Sequence, residues 1–118
     1  MPTLDQFLAV SGVIFCIGLY GALSRRNVVV VLMSIELMFN AVNIAAVAFS
    51  RFVIPKALFG LSGDLVEEVA SAALTGQVFA IFIIAVAAAE VALGLALVIA
   101  IYRYRGTIDV TEINLMRR

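Results

Sequence analysis

The 118-residue sequence contains no histidine and a single cysteine, Cys16. Haem, copper and iron–sulfur sites draw mainly on those two residue types, usually several together, so the chain is expected to hold no cofactor and no metal of its own. Charge is scarce as well: eight Lys and Arg balance eight Asp and Glu, for a formal net charge of zero. That balance offers no bulk attraction for nucleic acid. Hydrophobic residues, by contrast, make up 64% of the chain, where a soluble domain carries about 45–50%. One small soluble core could not hide them without large exposed patches, so the solvent implied is a lipid bilayer.

Three apolar runs reach the roughly 20 residues that cross about 30 Å of hydrocarbon at 1.5 Å per residue. They cover residues 4–23, 28–49 and 78–102. The first is broken only by Asp5, Gln6 and Ser11, the second by Ser34, Glu36, Asn40 and Asn43, and the third by Glu90. Ala22-Leu23-Ser24 loosely fits a signal-peptide cleavage site, but no Lys or Arg precedes the first run and Arg25-Arg26 follow it, which favours a retained span. Residues 50–77 hold five charged residues, Pro55 and three glycines, too polar for a fourth span, and read as an outer loop. Inside it Asp64-x-x-Glu67 has the form of a capping box, and Leu65, Val66, Val69, Ala73 and Leu74 fall roughly on one helical face. That pattern predicts a short interfacial or subunit-contacting helix, with a helical extension of the third span as the alternative.

Arg25, Arg26, Arg103, Arg105, Arg117 and Arg118 fall in segments that three spans place on one side, against Arg51 and Lys56 on the other. The positive-inside rule then puts the amino terminus outside and the carboxyl-terminal tail, residues 103–118, on the cytoplasmic side. The fold expected for residues 1–118 is therefore a single all-α integral membrane domain with three transmembrane helices.

Glu36 and Glu90 lie about 14 and 18 Å from the cytoplasmic ends of their spans at 1.5 Å per residue, so both are mid-membrane and at similar depth. An ionised carboxylate there costs roughly 3–10 kcal/mol, and every Lys and Arg sits at or beyond a span end. A carboxyl group without water or a basic partner is driven towards its neutral form, and an acid able to gain and lose a proton at mid-depth is what a proton relay requires. Asn40 and Asn43 follow Glu36 at i+4 and i+7, on one helical face, where their amides can hold water or bond either form of an acid. Their bland alternative is interhelical hydrogen bonding. Gly12, Cys16, Gly18, Gly21 and Ala22, with Ala80, Ala87, Ala88 and Gly94, suit close helix packing; Gly94 could instead leave room for water beside Glu90.

The strings "RRNVVVVLMSIELMFNAVNI" and "GQVFAIFIIAVAAAEVALGLALVIAIYR" resemble the second and third spans of the NuoK family, also called the 4L subunit of NADH dehydrogenase and NdhE in photosynthetic members. The terminal "IDVTEINLMRR" is similar to the tail of the cyanobacterial and plastid branch. The resemblance implies a membrane-arm subunit of a proton-translocating NAD(P)H or ferredoxin:quinone oxidoreductase of the complex I type. It places Glu36 and Glu90 in a chain of protonatable groups, which Asn40 and Asn43 would support by their spacing from Glu36, and Arg25 and Arg26 in a basic cytoplasmic loop. NADH or ferredoxin, FMN, iron–sulfur clusters and quinone are then expected in other subunits, and NuoJ-, NuoN- and NuoA-like subunits as neighbours. The membrane is a bacterial plasma membrane or a thylakoid. Residues 53–75 are longer than expected for the family. The small subunit of a multisubunit sodium/proton antiporter is the alternative, and a small drug/proton exporter a more distant one that would want a fourth span.

Overall fold

The computed structural model describes residues 1–57 and 63–113. Helix α1 covers Leu4–Ser24, α2 Val28–Ala57, α3 Gly63–Arg105, and a single 3-10 turn Val110–Glu112 follows. All three helices are long and apolar enough to cross a membrane, and their odd number puts the two chain ends at opposite faces of the bundle. The start of α1 is secured by the Thr3 N–H, which donates to Gln6 Oε1 at 3.1 Å. Asn27 Oδ1 accepts from the Val29 N–H at 2.9 Å and so satisfies one of the orphan donors that open α2.

The outer loop expected over residues 50–77 is mostly helix: α2 continues to Ala57 and α3 begins at Gly63. The alternative reading, a helical extension of the third span, is the one observed. Charge bars residues 50–77 from the hydrocarbon but not from a helix, and α3, with 43 residues, is about 64 Å long at 1.5 Å per residue, twice the hydrocarbon thickness. Asp64 is not the cap; it sits in the first turn of α3, where its charge favours the helix dipole. At the other end α3 stops because Gly106 adopts φ 70°, a left-handed conformation glycine takes without strain, and its N–H closes on Tyr102 O at 2.8 Å.

Helix α2 is central and packs on both α1 and α3. The buried apolar residues are small, chiefly Ala41, Ala48, Ala80 and Ala87, while large side chains such as Phe79, Ile81 and Phe82 face outward. Lipid is as apolar as they are, so helix association rests on close approach and on hydroxyls. Ser11 Oγ donates to Ala41 O at 2.6 Å, joining α1 to α2, and Ser50 Oγ donates to Ala73 O at 2.7 Å, joining α2 to α3. A Cβ on Gly18 would stand 2.8 Å from Ser34 O and 2.7 Å from Met38 Cγ, and one on Gly94 2.8 Å from Leu32 Cδ2. Packing is thus the role of Gly18 and Gly94. Gly12 has open space beside it, and Cys16 and Ala88 face outward, so these three do not pack within the chain.

Beyond Gly106 the chain turns back and pairs with the α1–α2 connection. Asn27 and Asp109 form an antiparallel bridge, flanked by Val28 N–H to Ile108 O at 3.1 Å and Val110 N–H to Arg26 O at 2.9 Å. The Asp109 carboxylate accepts from Thr111 Oγ1 at 2.7 Å and from the Thr111 N–H at 2.9 Å. These bonds, helped by the Arg26 charge, hold its carboxyl below the usual carboxylate range.

Two outcomes are expected. Gly18→Ala in the purified chain in detergent should lower stability to heat by about 1–3 kcal/mol, the usual cost of overpacking, whereas Gly12→Ala should be neutral or gain up to about 1 kcal/mol. Because the Asp109 carboxyl is held in its charged form chiefly by Thr111 within the tail's own turn, that turn should be constant from alkaline to mildly acid pH and loosen only below the ordinary carboxylate range. Hydrogen exchange at the Thr111 N–H reads this directly; Asp109→Asn should keep much of the protection and lose the acid step, and Asp109→Ala should lose both.

Candidate functional site

Two contacts fix the register of α2 against α3: Leu32 lies against Gly94, and Ser50 against Gly76. Each step forward along α2 is matched by one step back along α3. Four residues on from Leu32 and four back from Gly94, Glu36 stands level with Glu90, as their depths in the sequence suggested.

The two acids nevertheless face different surroundings. Glu36 lines a cleft of about 260 Å³ between α2 and α3, walled by Val29, Leu32, Met33, Val91 and Leu95. The side chain is half-buried, and its Oε2 is fully covered with no hydrogen-bond donor reaching it among the described residues. Glu90 is exposed. The reason lies in the rhythm of α3, whose inward positions run Val69, Ala73, Gly76, Ala80, Ile83, Ala87, Val91, Gly94, Val98 and Ile101. Steps of four and three alternate, except for two fours in succession from Ile83 to Val91. A strict heptad would put residue 90 in the seam; the extra step is a stutter that turns Val91 inward and Glu90 onto the flank. The cleft therefore brings Val91, not Glu90, to Glu36.

The asparagines divide in the same way. Asn43 is about 20° around the helix from Glu36 and Asn40 about 40° to the other side, at 3.6 residues per turn. Asn43 is buried at 9% exposure, and its Oδ1 has no partner among the described residues; it also borders a cavity of about 340 Å³ with Phe7, Val47, Arg51 and Phe52. Asn40 is exposed. Of the four polar residues expected together, the seam between α2 and α3 holds Glu36 and Asn43 and leaves Glu90 and Asn40 outside. Of the apolar cleft walls, Val91 follows from a three-residue step back from Gly94, and Leu95 from a four-residue step on from Val91.

Arg25 caps the end of α1 and, like Arg26, is exposed. Both stand at a helix carboxyl terminus, where positive charge is favourable, and Arg26 is tied to the tail through its carbonyl. Among the described residues no three Cys, Asp or Glu side chains gather as a metal site. What the arrangement can do is hold one carboxyl group in an apolar seam and a second at the same level on an outward face.

The chain is similar over nearly its whole length to named proteins. It is 50% identical over 116 residues to NADH-quinone oxidoreductase subunit K of Brevibacillus brevis, covering 98% of this chain and 97% of that one. It is 53% identical over 114 residues to the protein of the same name in Desulfitobacterium hafniense, covering 97% and 94%. Against the chloroplastic NAD(P)H-quinone oxidoreductase subunit 4L of Chlorokybus atmophyticus it is 48% identical over 115 residues, with 98% of both covered. The chain and these relatives are thus of nearly equal length. The family profile for NADH-ubiquinone/plastoquinone oxidoreductase chain 4L matches residues 6–118, and the chain belongs to that family.

Proposed function

We propose that the chain is a non-redox subunit in the membrane arm of a proton-translocating NAD(P)H or ferredoxin:quinone oxidoreductase, in which Glu36 and Glu90 exchange protons at mid-membrane. Family membership supports the assembly, and the names of the relatives favour it over an antiporter. The observation that carries the proton role is the pair of carboxyl groups at one level, with Glu36 Oε2 covered and without a donor. A purely structural polar contact would be expected to find a partner. An acceptor left open in this way is available to a proton arriving from a neighbouring group. Glu90 faces outward at the same level and would pass protons to or from an adjacent subunit. Donor, flavin, iron–sulfur clusters and quinone belong to other subunits, and NuoJ-, NuoN- and NuoA-like subunits are the proposed neighbours. The arginine-rich end faces the cytoplasmic side, by the positive-inside rule.

Asn43 supports this reading as a second acceptor in the seam. Asn40 lies at its edge and supports it less.

Glu36→Gln keeps shape and hydrogen bonding but removes the exchangeable carboxyl proton. The complex should assemble, and proton translocation should fall by about a hundredfold, the lower end of what a positioned proton-transfer group supplies. Glu36→Asp should retain part of the rate. Glu90→Gln should act in the same direction less strongly, and the double variant should be little worse than Glu36→Gln alone, since groups in one relay are non-additive. Wild-type pumping by Glu36→Gln would make the carboxyl a packing group. For orientation, Glu67→Cys should react with an impermeant maleimide added outside and Glu112→Cys should not; the reverse pattern would invert the topology.

A further inference from the structure

Next to the Glu36 cleft, and sharing Met33 with it, α1 and α2 form a second groove. It has a volume of about 430 Å³ and is lined on α1 by Ile17, Tyr20, Gly21 and Arg25 and on α2 chiefly by Val30, Met33 and Leu37. The lining residues recur at three- and four-residue intervals on both helices, so the groove runs along the helix axes, parallel to lipid chains. Its charge is confined to one end. The remaining α2 wall residue, Ser34, spends its hydroxyl on Val30 O at 2.8 Å, so the polar groups left in the lining are the Tyr20 hydroxyl and Arg25, where α1 ends.

That guanidinium has no carboxylate assigned to it by the sequence: no acidic residue occurs between Asp5 and Glu36. The nearby Asp109 is engaged by Thr111 and feels the charge of Arg26. At this end of the bundle the described residues set Arg25, Arg26, Arg103 and Arg105 against Asp109 and Glu112 alone. The excess is positive at the level of the lipid headgroups, because Arg25 directly follows the last residue of a span.

We propose that this groove binds one anionic phospholipid, its phosphate held by Arg25 and an acyl chain lying against Ile17, Tyr20, Met33 and Leu37. An apolar body with a negative charge at one end matches the groove from end to end, and a basic residue beside a membrane surface favours anionic lipid. Met33 also lines the Glu36 cleft, so the bound chain would pack on the side chain that separates lipid from that carboxyl. The inference does not rest on the proton role, and its test does not measure pumping.

The test places the photoreactive residue benzoylphenylalanine at position 17 in the full chain, in native membranes, and identifies adducts by mass spectrometry after illumination. The expected product is a phospholipid adduct enriched in anionic headgroups over their share of the bulk membrane. Arg25→Gln should reduce that enrichment about fivefold, and Arg25→Lys should keep most of it. Leu37→Trp, which fills the groove without touching the charge, should reduce lipid adducts of every class. Adducts to another polypeptide would assign the groove to a protein helix and overturn the proposal. Lipid adducts in bulk proportions, unchanged by Arg25→Gln, would overturn it equally.

Discussion

The close approach of helix backbones is the constraint on which the rest of the structure depends. In a bilayer no hydrophobic gain draws one apolar helix to another, and this chain meets the difficulty by removing side chains where helices cross. Gly18 sits against the backbone of Ser34 and Met38, Gly76 against Ser50, and Gly94 against Leu32. Hydroxyls of Ser11 and Ser50 then bond carbonyls of the facing helix. The register these contacts impose brings Glu36 and Glu90 to one level, and the groove walls and the apolar cleft follow from the same crossings.

Rigidity at the crossings has a counterpart in what is left unpaired. Glu36 Oε2 and Asn43 Oδ1 are buried without partners in the seam between α2 and α3, in a protein whose other covered hydroxyls at Ser11, Ser34 and Ser50 are all bonded. Backbone carbonyls can accept from the three serine hydroxyls, but helix interiors offer no free N–H to the two acceptors on this face of α2. In the proposed relay, a carboxyl group without a permanent partner stays free to exchange its proton. The tail contributes at the far end by bridging Asp109 to Asn27, which ties the end of α3 to the start of α2 and holds both helices of the seam together.

Much of this was legible in the sequence, and the exceptions have physical reasons. The three spans and the two mid-depth acids follow from long apolar runs in which any charge stands out. The length of α3 was harder to read, because Asp64, Glu67 and Glu68 mark where hydrocarbon ends and say little about where a helix ends. The Gly106 stop was a readable signal, a glycine just past Arg103 and Arg105, and was passed over. The bridge between Asn27 and Asp109 is too short to have a period. Most consequential is the outward turn of Glu90: the stutter in α3 depends on which of two adjacent residues faces α2, and Val91 and Glu90 differ by one position in a stripe that tolerates either. Asn40 and Asn43 likewise share a face on a helical wheel, but only Asn43 is covered once α3 is in place.

In the proposed relay Glu36 exchanges a proton during turnover. Infrared difference spectroscopy of the assembled complex, recorded between resting and turning-over states, reports the C=O stretch of protonated carboxyl groups in apolar surroundings. Exchange at Glu36 should give a band in that region that is present in the wild type, shifted in Glu36→Asp and missing in Glu36→Gln. A difference spectrum in Glu36→Gln that keeps every carboxyl band of the wild type would contradict it.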